Sequence, residues 1–396
     1  MKPRHFNYSF LCSITTLLAS ASAAISQSSG SAIEIDKATQ GGFAPPIPIS
    51  VSGFSGDVEK VLKNDLLFMG FKHVSADQAK FLVTPGDNSS RVEGRVMDRI
   101  NKNYVLNKAY TGGTERTQTH AFADDIALAL TGKPGIAQTK VAFKAETGRS
   151  RGEIYIADYD GFNPVSVTQD GALVAAPCWA GRSALYYTSY KLGMPYIFYH
   201  QLTTGARHAV ARYSGLNSSA AVSPDGKRLA MILSKSGSPD LYISDLNGTN
   251  LKQLTSTKEA ESSPCWSPDS QTVCFSSRVG GAGGLFTVPI TGGAMHRLRT
   301  VGAPNPTEPD WSPDGKWIIF TSMARDFNIC LVKAEGGDAT VLTAGEDPTW
   351  APNSRAVVFC KGPDHAKKLS LLDVPTKQVK DIARLLESNS QPSWGR

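Results

Sequence analysis

The side chains that could carry chemistry are scattered along the chain. Seven histidines, His5, His73, His120, His200, His208, His296 and His365, show no paired spacing of the kind a zinc site needs. His120 falls near Asp124 on an expected helix and reads as a surface or packing residue. Cys178, Cys265, Cys274, Cys330 and Cys360 match no metal pattern. They read as small buried hydrophobes on strands, although Cys265 and Cys274 flank one hairpin turn and could face each other as a disulfide. Asp158-Tyr159-Asp160-Gly161 begins like a calcium loop but lacks the later ligands and the terminal glutamate. Asp245-Leu246-Asn247-Gly248 ends an expected strand in the same way, so a turn accounts for both. Gly280-Gly281-Ala282-Gly283-Gly284 has no following Lys-Ser/Thr and reads as a flexible loop. A serine peptidase would need a hydrolase domain with a Gly-x-Ser-x-Gly elbow, and none is expected. These residues thus predict no catalytic group, metal or cofactor.

What recurs instead is a phrase. Its clearest copy is Glu308-Pro309-Asp310-Trp311-Ser312-Pro313-Asp314-Gly315, followed by the apolar run Trp317 to Phe320. Others contain Trp179, Val222, Trp266, Trp350 and Trp394. The residues after these aromatic or apolar markers are Ala180, Ser223, Ser267, Ser312, Ala351 and Gly395, spaced by 43, 44, 45, 39 and 44. Such a period indicates propeller blades. Pro-Asp-Gly is itself a turn: Pro sets φ, Asp bonds back to nearby backbone and Gly accepts positive φ.

Each repeat offers strands on both sides of that turn, then a third and a short fourth. Residues 140 to 168 supply second, third and fourth strands with no first, while Ser393-Trp394-Gly395-Arg396 is a first strand with nothing after it. Joined, they complete a sixth blade and close the ring, which protects sheet edges.

Ahead of the repeats the pattern is mixed. Lys2 and Arg4, an apolar run from Phe6 to Ala19 and the small residues Ala21-Ser22-Ala23 predict a signal peptide over 1–23. Its removal would lower the formal charge from +6 to +4, too small an excess to argue for nucleic acid. A mobile leader is expected over 24–32 and an α/β domain over 33–135. That domain has strands near Ile33–Ile35, Ile47–Val51, Phe81–Thr84, Val92–Met97 and Tyr104–Tyr110, with helices near Asp57–Met69 and Thr119–Leu130. Along the first helix Val58, Val61, Leu62, Leu66 and Met69 share a face on which Asp65 is an interloper. The propeller then occupies 136–396. The fold class is thus an α/β N-terminal domain plus an all-β six-bladed β-propeller closed by the C-terminal strand.

This organisation resembles the TolB family, most tellingly at Asp65-Leu66 before Gly70-Phe71, at Leu130-Thr131-Gly132-Lys133-Pro134-Gly135-Ile136 leading to Lys140-Val141-Ala142-Phe143, at Asp158-Tyr159-Asp160-Gly161 and at Pro392-Ser393-Trp394. The resemblance implies a non-enzymatic, monomeric periplasmic adaptor. It would bind a peptidoglycan-associated lipoprotein (Pal) through the propeller and a TolA-like inner-membrane protein through its N-terminal segment, supporting outer-membrane integrity and cell division. The positions matching the family's Pal-binding loops are Leu216, Asn217, Ser218 and Ser219, then Glu261, Ser262 and Ser263, then Thr307 and Glu308. The chain departs from the family where a His-Asn-Gly-like loop becomes Leu216-Asn217-Ser218 and where Thr-Glu becomes Ser262-Ser263, and its serine-rich leader is longer than usual.

Loops between second and third strands should emerge on the same face as those entering the first strands. They carry Arg149 and Arg151, Lys191, Lys235, Arg278, Arg325, and Lys361, Lys367 and Lys368. Lys235, Arg278 and Arg325 join the expected partner-binding set, because a ring of like charge steers an acidic partner. A reading from another class is a propeller hydrolase, lactonase or peptidase-related, with acidic metal ligands in its channel.

Overall fold

The computed structural model describes residues 42–87, 91–382 and 387–395. The expected signal peptide, leader and Ile33–Ile35 strand lie outside them. The first described elements are β1 (Ile47–Val51), α1 (Gly56–Phe68), β2 (Phe71–His73), β3 (Phe81–Pro85), β4 (Glu93–Asp98), β5 (Asn103–Ala109) and α2 (Glu115–Thr131). Their sheet runs β2-β1-β3-β4-β5, with β1 parallel to both neighbours. β2 has three residues, too few for alternation to announce it. α2 begins four residues before the expected Thr119, because Thr114 and Thr117 form a reciprocal cap: each hydroxyl accepts the other's backbone N–H. A threonine stands there in place of the usual Glu or Gln. Gly94 lets α2 close on the sheet, since a Cβ at that position would lie 2.1 Å from the Phe122 ring.

Six four-stranded blades follow. The closing blade joins Asn389–Trp394 to Lys140–Gly148, Arg151–Asp158 and Val165–Ser166. Blades two to six begin at Val174–Ala180, Asn217–Val222, Glu261–Trp266, Pro306–Trp311 and Glu346–Trp350. Within the Ser-Pro-Asp turns one aspartate oxygen gathers the local donors. Asp225 accepts from the Ser223 hydroxyl at 2.6 Å and the Lys227 N–H at 3.1 Å, and the Ser267 and Ser312 hydroxyls bond Asp269 and Asp314 alike. Cys265 and Cys274 do face each other across their strands, but no disulfide joins them.

The α/β layer and the ring share one apolar core. Leu62, Leu66, Phe122 and Ile126 belong to the same buried cluster as Val141, Phe143, Tyr159, Val358, Leu369 and Trp394. Further contacts pin the seam: Asn353 Nδ2 donates to the Phe68 carbonyl at 3.1 Å, and the Phe43 ring stacks on Trp317. Gly70, at φ 94°, turns the chain where an added Cβ would meet the Arg355 guanidinium at 3.1 Å.

Candidate docking face and channel

Each innermost strand carries a β-bulge near its start, at the third residue in five strands and at the second, Asp347, in Glu346–Trp350. Ala176, Ser219, Ser263, Glu308, Asp347 and Gln391 all adopt left-handed backbone, φ 49° to 55°, and the pairing register shifts beside them. Non-glycine residues resist this conformation, and a bulge of this kind re-aims a side chain. Here the six residues form a ring lining a channel cavity of about 510 Å³, which extends to the turn residues Ser223, Pro224 and Gly226.

Part of the ring is stitched from blade to blade. The Asp347 N–H donates to Glu308 Oε2 at 3.0 Å, the Gln391 N–H to Asp347 Oδ2 at 3.1 Å, and the Ala176 N–H to Gln391 Oε1 at 2.9 Å. The Thr321 hydroxyl also donates to Glu308, and the Cys360 thiol to Asp347. Burial, and then the charge of Asp347, push Glu308 up to about 7. Burial followed by the Glu346 charge raises Asp347 as well. The two carboxyls therefore resist ionising together.

The expected partner-binding residues divide by environment. Ser219, Ser263 and Glu308 belong to the bulge ring, while Ser218, Ser262 and Thr307 directly precede it. Hydroxyls link the next two blades, Ser262 to Ser276 at 2.8 Å and Ser276 to Thr307 at 3.4 Å. Asn217 and Glu261 are buried and offer a partner no surface. Asn217 instead bonds the backbone of Pro195, Tyr213 and Gly215, and Glu261 accepts from the Leu241 N–H and the Thr255 hydroxyl. Leu216 packs against the core between blades three and four.

Lys235, Arg278 and Arg325 are exposed on the loops between second and third strands. Neighbouring carboxylates mute part of the wider cation ring: Lys191 pairs with Asp170, Lys361 and Lys368 with Asp381, and Lys367 with Glu346 and Asp364. Among the described residues no salt bridge holds Arg149, Arg151, Lys235, Arg278 or Arg325.

A second polar cluster lies at the seam, where residue spacing gave no hint of it. His120 Nδ1 bonds Asp65 Oδ2 at 2.7 Å, and the Tyr159 hydroxyl donates to Asp65 Oδ1 at 2.6 Å. Asn64 Nδ2 donates to the same tyrosine at 3.0 Å, and Arg116 pairs with Asp160. The partner of His120 is thus Asp65 of α1 rather than Asp124, which instead accepts from the Ala137 and Gln138 N–H groups. Burial raises the Asp65 pKa. For His120 burial works against the charge, but the Asp65 hydrogen bond and charge outweigh it and hold the imidazole above its ordinary value.

Among the described residues no group of three His, Cys, Asp or Glu side chains is placed to hold a metal. A Gly-x-Ser-x-Gly string does occur at residues 148–152, contrary to the sequence reading. It forms the tight connection between antiparallel strands, with Ser150 at φ 58°, and not the strand-to-helix turn of a nucleophile elbow.

The architecture defines the class: a closed six-bladed propeller fused to an α/β layer and pierced by a channel ringed with strained bulges. The sequence profile of the TolB beta propeller domain matches residues 128–396. The Tol-Pal system protein TolB of Bordetella pertussis is 30% identical over 316 residues, covering 78% of this chain and 72% of that protein. Its counterpart in Bordetella parapertussis shows the same identity over 71% of its length. TolB from Acinetobacter baumannii shares the fold at a TM-score of 0.78 and 23% identity, covering 89% of this chain and 97% of that one. The chain belongs to the TolB family. No described helix is long and apolar enough to cross a membrane.

Proposed function

We propose that this chain is a non-enzymatic periplasmic adaptor of a Tol-Pal-like envelope complex, exported by residues 1–23. Its propeller, spanning residues 136–396, docks a Pal-like outer-membrane lipoprotein on the loop face. The segment before the α/β domain links to a TolA-like inner-membrane protein, and the assembly supports outer-membrane integrity and cell division. The observation that carries this reading is the match of residues 128–396 to the TolB propeller, in relatives named for the Tol-Pal system. The ringed channel mouth supports it, because a rigid rim spends little conformational entropy on binding.

Capture from an envelope extract tests the reading: a Pal-like lipoprotein should dominate what the purified protein retains, and its absence contradicts the proposal. The exposed arginines give a second expectation. Reversing Arg278 and Arg325 to glutamate should slow association several-fold and flatten its salt dependence in stopped-flow measurements, since rim charges act mainly on association rate.

A further inference from the structure

We propose that three loops of blades two and three form an anchoring patch that takes an apolar side chain flanked by carboxylates on the partner. The inference rests on the docking reading above and adds a contact region outside the channel mouth. Asn217 supplies the rigidity. Its Nδ2 donates to the carbonyls of Pro195 at 3.0 Å, Tyr213 at 2.8 Å and Gly215 at 3.2 Å, while Oδ1 accepts the Tyr213 N–H at 2.9 Å. A third loop joins them, because the Leu216 N–H donates to the Ser234 hydroxyl at 2.7 Å and the Ser234 N–H to the Leu216 carbonyl at 3.0 Å.

On this fixed platform Leu192 is 53% exposed and Met194 45%. Two large apolar side chains on one short loop cost solvation unless something covers them, and methionine adapts to varied shapes. Their surroundings are cationic. Lys235 Nζ lies 4.5 Å from the centre of the Tyr213 ring, and the Arg212 guanidinium 5.4 Å from that of Tyr196. Aromatic faces hold these charges without neutralising them, and no salt bridge takes either among the described residues. The nearby carboxylates are engaged: Asp170 with Lys191 and Arg207, and buried Asp240 with Ser236, Ser238, Gln253 and the Thr257 N–H. Apolar centre and positive flanks therefore complement an acidic segment bearing one apolar residue.

The probe is the soluble domain of the lipoprotein recovered by envelope capture, titrated calorimetrically against the full chain. L192S/M194S should weaken binding roughly tenfold, the scale of losing an interface anchor, with an unchanged unfolding midpoint because both side chains are exposed. K235E should slow association and reduce its salt dependence. Wild-type affinity in L192S/M194S overturns the patch but leaves the docking reading standing, whereas a wild-type chain that does not bind the probe overturns both. Vesicles of phosphatidylglycerol provide the remaining arm: if L192S/M194S loses vesicle binding and keeps the lipoprotein, the patch meets lipid and the proposal is wrong.

Discussion

His120 and Asp65 meet where water is scarce, and both titrate with a sign that can be worked out. His120 holds its proton more tightly in the folded chain than its ordinary value of 6.5. Its contribution is therefore complete below that value and is lost as pH rises through the folded pKa. Asp65 is raised from 3.8, so its buried carboxylate costs stability once pH passes that value, in the same direction. Urea unfolding followed from pH 6 to 9 should show falling stability, and H120Q should flatten the fall; a slope unchanged in H120Q contradicts the assignment. Truncation by H120A strands a buried carboxylate and should cost about 3–5 kcal/mol. Glu308 behaves similarly within the ring. With its pKa pushed up to about 7, it contributes less as pH climbs through neutrality. E308Q should therefore be less pH-sensitive than wild type over pH 6 to 8, its amide oxygen still able to accept from Thr321 and Asp347. Glu308 stood out in the sequence, but its neighbour in the ring did not, because Asp347 lies in the next blade and their meeting depends on the bulges. Asp65 likewise looked like an intruder on an apolar face, since the groups that compensate its burial come from α2 and the closing blade.

Among elements, the closing strand Asn389–Trp394 bears the most. Trp394 stacks on Tyr159 with ring centres 6.0 Å apart, and its Nε1 donates to the Thr139 hydroxyl at 2.8 Å. Tyr159 in turn holds Asp65, so the strand that seals the ring also ties it to the α/β layer. W394A should lower stability by about 3–5 kcal/mol, measured by denaturant unfolding, and Y159F by about 1–3 kcal/mol through the unsatisfied carboxylate left behind. A near-neutral W394A would mean that closure contributes little. The strand itself was readable because half a blade stands at each end of the repeat array, and turn residues announce the first and second strands of every unit. The bulges were not read, although a proline follows the bulged residue at 177, 264, 309, 348 and 392. Those prolines repeat as regularly as the turns, but a strand pattern alone does not say that the residue before one has turned left-handed. The early start of α2 was hidden by the threonine pair that caps it.

For the molecule as a whole, the ring divides labour between its two faces. Ser-Pro-Asp turns with satisfied donors form one side, and the other presents the bulge ring, the hydroxyls of Ser218, Ser262 and Thr307, and the exposed cations Lys235, Arg278 and Arg325. Blade count and closure followed from the period of the phrase. Charge on the loop face was only partly legible, because, Asp364 apart, the carboxylates that mute Lys191, Lys361, Lys367 and Lys368 come from other strands and loops that only the folded blades bring alongside. The most direct test of the account is a calorimetric titration of the Pal-like lipoprotein's soluble domain into the full chain, beside R278E/R325E and a turn-face control, K227E. The account predicts one saturable site, weakened by the loop-face pair and indifferent to K227E. Saturable binding lost in K227E and retained in R278E/R325E would contradict it, as would no binding to the wild-type chain.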